Sequence, residues 1–125
     1  MAKFNFIIRY VKSPKDSEAF YTSLLGRPAL ESAPTFAMVP LDGGVMLGLW
    51  ARDKVQPAAA QAGSDGEIAL VAEGRNEVDD LHTRWRDQGV VIAQAPQHLD
   101  FGYTFTALDP DGLRIRVFAP EQSAA

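Results

Sequence analysis

The chain has no cysteine, which excludes disulfides, zinc–thiolate sites and a cysteine nucleophile. Histidine is almost as scarce: His82 and His98 are the only two, and neither falls on a predicted inward strand position, so a histidine-based metal site is not expected. No apolar run approaches the roughly 18 residues of a membrane span. The start, Met-Ala-Lys-Phe-Asn-Phe, lacks the charged and apolar regions of a secretory signal. A soluble, cytoplasmic protein is the expectation. Basic character is missing as well. With a net charge of −4, a pI near 5.0 and no basic stripe, neither nucleic acid nor an anionic membrane is expected as a partner. No Ser-His-Asp arrangement or nucleotide fingerprint occurs, and Gly43-Gly44 reads as a turn rather than a phosphate cradle.

What remains is ordinary globular material. Hydrophobic residues make up 46% and charged residues 22% of 125 positions, enough for one core without cross-links.

The chain also repeats itself. Phe6–Val11 and Glu67–Ala72 are short apolar runs rich in strand formers, each followed by a helical pattern. The first helix has Ser13 to cap it, Pro14 at its first position, Phe20, Leu24 and Leu25 on one face, and Gly26 to stop it. In the second, Asn76 is the expected cap, Val78, Leu81 and Trp85 share a face, and Gly89 ends it. Thr35–Asp42 then aligns with Gly102–Asp109, and Gly44–Ala51 with Gly112–Ala119. Asp-Gly turns divide the two runs in each copy, a hairpin signal. A further short strand is expected after each helix, near Ala29–Ser32 and Val90–Ala93. Each half therefore reads strand, helix, strand, strand, strand. Arg52 to Asp65 has the composition of a linker.

A sheet with one helix on one face leaves its other face open, and strand alternation assigns residues to each side. Val45, Leu47 and Leu49, like Leu113, Ile115 and Val117, suit the helix side. Phe6, Ile8, Tyr10, Met46, Gly48 and Trp50 fall on the open side of the first copy, and Glu67, Ala69, Val71, Arg114, Arg116 and Phe118 on that of the second. Arg9 falls on the helix side, where it must snorkel out unless the parity is wrong there.

The Ser13-Pro14 start, Ala19-Phe20-Tyr21, Leu24-Leu25-Gly26, Phe101-Gly102-Tyr103-Thr104-Phe105 and Asp109-Pro110-Asp111-Gly112 together resemble the vicinal oxygen chelate superfamily. That group includes glyoxalase I, extradiol dioxygenases and bleomycin-resistance proteins. The resemblance covers about residues 4 to 120. It implies an α+β fold of paired βαβββ modules, their mostly antiparallel sheets forming a curved trough with helices on the outer face. It places modules at 4–52 and 66–120, joined by a linker at 53–65, within a single domain over residues 1–125. It also implies a homodimer with pockets built from both chains. The metal ligands of such enzymes map onto Phe6, Gly48, Glu67 and Arg116. Only Glu67 could ligate a cation, and Arg116 brings a permanent positive charge to the same place. No metal and no cofactor are therefore expected.

The expected ligand site comprises Phe6, Tyr10, Phe36, Gly48, Trp50, Glu67, Tyr103, Phe105, Arg116 and Phe118. The aromatics are either packing groups or the walls of a cavity for a flat molecule, with Gly48 making room beside Trp50. Glu67 and Arg116 either form a structural ion pair or anchor a polar group, Arg116 being suited to a carboxylate or phenolate. Glu67 as a catalytic base is a weak candidate, because a neighbouring Arg lowers the pKa that a base needs raised. His98 and Asp100 are placed in a loop at the rim, and His82 on the surface or at a dimer contact. The best reading is metal-independent binding of a small aromatic or apolar molecule, like the sequestering members of the superfamily. The alternative is a lyase, isomerase or dioxygenase relative with a non-standard metal site around Glu67; a third is a purely interacting protein.

Overall fold

The computed structural model describes residues 4–58 and 66–121. The chain forms two compact units, Met1–Ala62 and Gly63–Ala125. The proposed linker at 53–65 lies partly outside the described residues; its described start carries a single 3₁₀ turn, Arg52–Lys54.

The first unit runs β1 (Phe6–Val11), α1 (Pro14–Leu25), β2 (Glu31–Ser32), β3 (Phe36–Pro40) and β4 (Met46–Ala51). Its sheet order is β1-β4-β3-β2, with β1 parallel to β4 and the other pairs antiparallel. The Ser13 side chain accepts from the Asp16 N–H at 3.2 Å, satisfying one orphan donor of α1. Gly26 ends the helix with φ +67° and donates its N–H to the Thr22 carbonyl at 2.9 Å. The helix buries Pro14, Ser17 and Tyr21, whereas Phe20, Leu24 and Leu25 stay half-buried. The expected face was therefore displaced. Small Ser17 occupies the centre of the contact, so the bulk comes one residue later, from Tyr21, against which Phe20 sets its ring edge-on at 5.1 Å. Beneath the helix lie Val11, Ala37, Val39, Leu47, Leu49 and Ala51, all buried. Arg9 is cross-strand partner of Leu49, so it does lie on the helix side, half-buried.

The second unit repeats the pattern: β5 (Glu67–Val71), α2 (Arg75–Asp87), β6 (Val91–Leu99), β7 (Gly102–Leu108) and β8 (Arg114–Pro120), in the order β5-β8-β7-β6. Gly74, not Asn76, precedes the first turn of α2 and offers no capping side chain; Glu77 instead accepts the Glu73 N–H at 3.1 Å. Trp85 and Val78 are buried by α2, and Trp85 packs edge-on against Phe105 at 5.3 Å. His82 lies 5.3 Å from the same ring, so it packs on the sheet rather than standing at the surface. The β6 strand is far longer than expected at Val90–Ala93. It continues through Pro96 because it is an edge strand, where a missing N–H is tolerated, and register shifts between Ile92 and Gln97 absorb the proline. Between β7 and β8, Asp109 is almost fully buried and its Oδ1 accepts from the N–H groups of Asp111 and Leu113, both at 2.9 Å. The Asp-Pro-Asp-Gly turn is thus organised by its first carboxylate. Gly102 has φ +152°, and a Cβ there would meet the Ala119 carbonyl oxygen at 2.1 Å; only glycine fits.

A polar chain ties α2 to the end of the sheet. The Tyr103 hydroxyl donates to Asp79 at 2.7 Å, and Arg75 lies 5.8 Å from the Tyr103 ring centroid. Arg75 also donates to Glu121 at 2.5 Å, and Glu121 meets His98 Nδ1 at 2.9 Å. Donation to Asp79 raises the Tyr103 pKa, since losing the proton would set two negative charges together. The hydrogen bond from Arg75 holds the Glu121 carboxyl below its ordinary range.

Two predictions follow from these layers. Phe105→Ala, which empties a fully buried site, should cost about 3–5 kcal/mol, whereas Ile8→Ala, at a side chain 47% exposed, should cost under about 1 kcal/mol; denaturant unfolding of both variants measures this. The second concerns pH. Because the folded pKa of Glu121 is depressed, its contribution is full above the ordinary carboxylate range and is lost as the pH falls through the lowered value. Wild type should therefore be more stable than Glu121→Gln at neutral pH, and the two melting curves should converge in acid.

Candidate functional site

Each sheet has one face under its helix and one face without it, and the pairing register fixes what the latter carries. In the first unit Phe6 pairs with Met46, Ile8 with Gly48, Tyr10 with Trp50, and Phe36 with Trp50. Cross-strand partners share a face, so these residues and Met38 stand together. Their rings touch in a chain. Phe6 and Phe36 lie 6.5 Å apart, Phe36 and Trp50 6.5 Å apart at 77°, and Tyr10 and Trp50 6.4 Å apart at 82°. Edge-to-face pairs of this kind add about 0.5–1.5 kcal/mol beyond area burial. Phe6 is 37% and Tyr10 40% exposed, so substantial ring surface remains uncovered in the chain.

Gly48 lies beneath this cluster. A Cβ there would come within 2.7 Å of the Phe6 ring and 2.9 Å of the Phe36 ring. The missing side chain does make room, but the two phenyl rings take that room, not open space beside Trp50. Any larger residue would push them outward.

The open face of the second unit is polar at its centre. Arg116 donates through Nε to Glu67 Oε1 at 2.5 Å and through Nη2 to Oε2 at 3.3 Å, and its Nη1 donates to the Thr104 hydroxyl at 3.1 Å. Thr104 passes its own proton to the Val117 carbonyl at 2.8 Å. Phe101 lies 5.4 Å from the guanidinium carbon and sets its ring edge-on to Phe118 at 5.7 Å. The Arg116 side chain is only 14% exposed. A two-point bond between guanidinium and carboxylate is the strong form of an ion pair.

The sequence expectations divide on this geometry. Phe6, Tyr10, Phe36, Gly48 and Trp50 come together on one face, and Glu67, Arg116 and Phe118 lie on the open face of the other sheet. Tyr103 and Phe105 do not join either group. They stand on the helix side of β7, Tyr103 bonded to Asp79 and Phe105 fully buried beside Trp85. Thr104 and Thr106 take the open-face positions instead, as cross-strand partners of Phe118 and Arg116. His98 is in β6 rather than a loop, and engages Glu121; Asp100 does stand in the turn before Phe101. Phe101 was missed as a site residue because a turn residue has no strand parity to assign it.

The donor set does not suit the metal of the superfamily's enzymes. Phe6 and Gly48 carry no donor atom. Both oxygens of Glu67 accept from Arg116, whose fixed positive charge would sit beside any cation. Among the described residues no group of three or more His, Cys, Asp or Glu could hold an ion. No helix among them is long and apolar enough to cross a membrane.

Comparison with known proteins places this geometry. The phenazine antibiotic resistance protein EhpR of Enterobacter agglomerans is 26% identical over 116 residues, spanning 90% of this chain and 88% of that protein. A protein of Agrobacterium tumefaciens whose solution structure is known is 44% identical, with a TM-score of 0.86 over 97% of this chain and 99% of its own. The lactoylglutathione lyase of the same organism shares the fold, with a TM-score of 0.77 at 20% identity over 95% of this chain and 94% of its own. A family model matches residues 3–117. The chain belongs to the Glyoxalase/Bleomycin resistance protein/Dioxygenase superfamily.

Proposed function

We propose that this chain binds a small, flat aromatic or apolar molecule without a metal and without transforming it. The observation that carries this reading is the ring cluster of Phe6, Tyr10, Phe36 and Trp50, which leaves aromatic surface exposed on the helix-free face of its sheet. Scattered apolar residues on a surface are normal; a contiguous aromatic patch marks a place where something binds. A ligand laid on these rings gains about 25 cal/mol for each Å² of apolar surface it removes from water. The resistance protein among the relatives is named for phenazines, flat fused tricycles of the shape such a patch accepts.

The engagement of Glu67 supports the metal-free half of the reading. A cation on Glu67 would meet the fixed positive charge of Arg116, which already donates to both carboxylate oxygens. A second copy of the chain is the proposed partner, since Ile8 and Val71 are 47% and 69% exposed on strands of the helix-free faces. Light scattering should then report twice the chain mass.

Quenching of tryptophan fluorescence by a panel of planar tricycles, with calorimetry for affinity, tests the central claim. Trp50→Ala should weaken binding by about 1–3 kcal/mol, while a Trp85→Phe change under α2 should leave it nearly unaltered. Equal affinity in wild type and Trp50→Ala would remove Trp50 from the site. Titration of chelator-treated protein with Zn²⁺ and Ni²⁺ should give no stoichiometric tight binding; one tightly bound ion per chain would overturn the metal-free reading.

A further inference from the structure

Among the described strand residues of the first unit, Glu31 is the only charged one that the register sets on the helix-free face. It pairs with Met38, Met38 with Gly48, and Gly48 with Ile8, so one row of side chains crosses all four strands. Backbone bonds hold β2 in that register on both flanks. The Leu30 N–H donates to the Met38 carbonyl at 2.8 Å, and the Ala33 N–H to the Phe36 carbonyl at 2.9 Å. Glu31 is exposed, and no hydrogen bond or ion pair among the described residues engages its carboxylate. Asp42 of the same unit, by contrast, is taken by Arg27.

The row leads into the ring cluster. Phe36 stands two residues before Met38 and is therefore the diagonal neighbour of Glu31, a spacing of about 7–8 Å. Gly48 keeps the floor between them low. The Phe6 and Phe36 rings settle over it, 2.7 and 2.9 Å from where a Cβ would stand. The face thus presents ring surface bounded on the β2 side by one carboxylate. Ring faces carry the negative part of the aromatic quadrupole, so the rings and the carboxylate favour the same sign of charge. That sign is positive.

A fixed cation does lie at the opposite edge. Arg52 follows β4 and donates to the Tyr10 carbonyl of β1 at 3.4 Å. Strands β1 and β2 are the two edges of the sheet, three strand spacings or about 14 Å apart. Screening in physiological salt acts over about 8 Å, so Arg52 does not cancel Glu31 at the β2 edge.

We propose that Glu31 selects a flat aromatic cation, holding its positive charge at the β2 edge while the rings of the first unit carry its plane. The proposal rests on the binding reading above and names the ligand class of that same face. It lies wholly within the first unit and differs from an anion held at Arg116.

Three probes of one skeleton test it at mildly alkaline pH: 10-methylacridinium, a fixed cation, acridine, which is neutral there, and acridine-9-carboxylate, an anion. Affinities are measured by calorimetry on the full chain, as wild type, Glu31→Gln and Glu31→Lys. Methylacridinium should bind wild type about fivefold more tightly than acridine, from cation–π attraction and one solvent-screened ion pair. The carboxylate should bind most weakly. In Glu31→Gln the ratio of methylacridinium to acridine affinity should fall about threefold, and in Glu31→Lys it should fall further. Added salt should lower that ratio in wild type more than in Glu31→Gln. A ratio unchanged by both substitutions would overturn Glu31 as the selecting group. Equal binding of methylacridinium and acridine by wild type, or tightest binding of the carboxylate, would overturn the preference for a cation and leave the aromatic-binding reading standing. Binding of none of the three would overturn both readings together.

Discussion

Each four-stranded sheet here has one face sealed by its own helix, and everything else depends on that asymmetry. Once Leu47, Leu49 and Val39 are committed to α1, alternation leaves Met46, Gly48 and Trp50 no choice of side. Once Ile115 and Val117 are committed to the α2 side, Arg114, Arg116 and Phe118 are equally fixed. A slip of one residue in β4 or β8 would bury charge or glycine under a helix and expose the branched aliphatics. Register is therefore strongly specified. The helix-free surfaces are determined indirectly, by what the core refuses.

The two units solve the same local problem with opposite chemistry. In each, the first residue of the opening strand reaches diagonally to the neighbouring parallel strand: Phe6, paired with Met46, leans over Gly48, and Glu67, paired with Arg114, reaches Arg116. The first diagonal is matched by size, a ring above a missing side chain. The second is matched by charge, a carboxylate held by a guanidinium. Each pair is formed within its own unit. Phe6 and Gly48 carry no donor atom, and Arg116 sets a fixed positive charge beside Glu67.

Much of this was legible in the sequence, and the losses have physical reasons. Parity read correctly along β4, β5 and β8 because one side of each is a clean aliphatic series, and along β1 despite Arg9 on the helix side. It failed along β7, where Tyr103 and Phe105 compete with Thr104 and Thr106. Aromatic bulk suggested an open wall, yet the threonines face that way and Phe105 packs under Trp85. Polarity misled in α1, where Ser17 is buried, and the strand expected near Val90–Ala93 runs on through Pro96, which an edge strand tolerates. Phe101 escaped because its position depends on a turn forced by Gly102, whose close approach to Ala119 no periodicity reports. Local chemistry is visible in a sequence; which of two plausible faces wins is a property of the packed sheet.

Several residues lie uncomfortably in this fold, some of them on the helix-free faces of its sheets. Thr106 keeps a hydroxyl where valine would pack equally well, and Phe6 and Tyr10 keep ring surface in water that a polar residue would not. Asp109, nearly buried, spends one oxygen on two backbone donors, and Tyr103 spends its proton on Asp79, whereas Trp85 Nε1 and Glu18 Oε1 are buried without a hydrogen-bond partner, as Thr106 Oγ1 is. Local violations of packing rules concentrate where a sequence serves something other than stability. Here the uncovered rings of the first unit suit a flat aromatic or apolar partner, the kind of ligand proposed for that face.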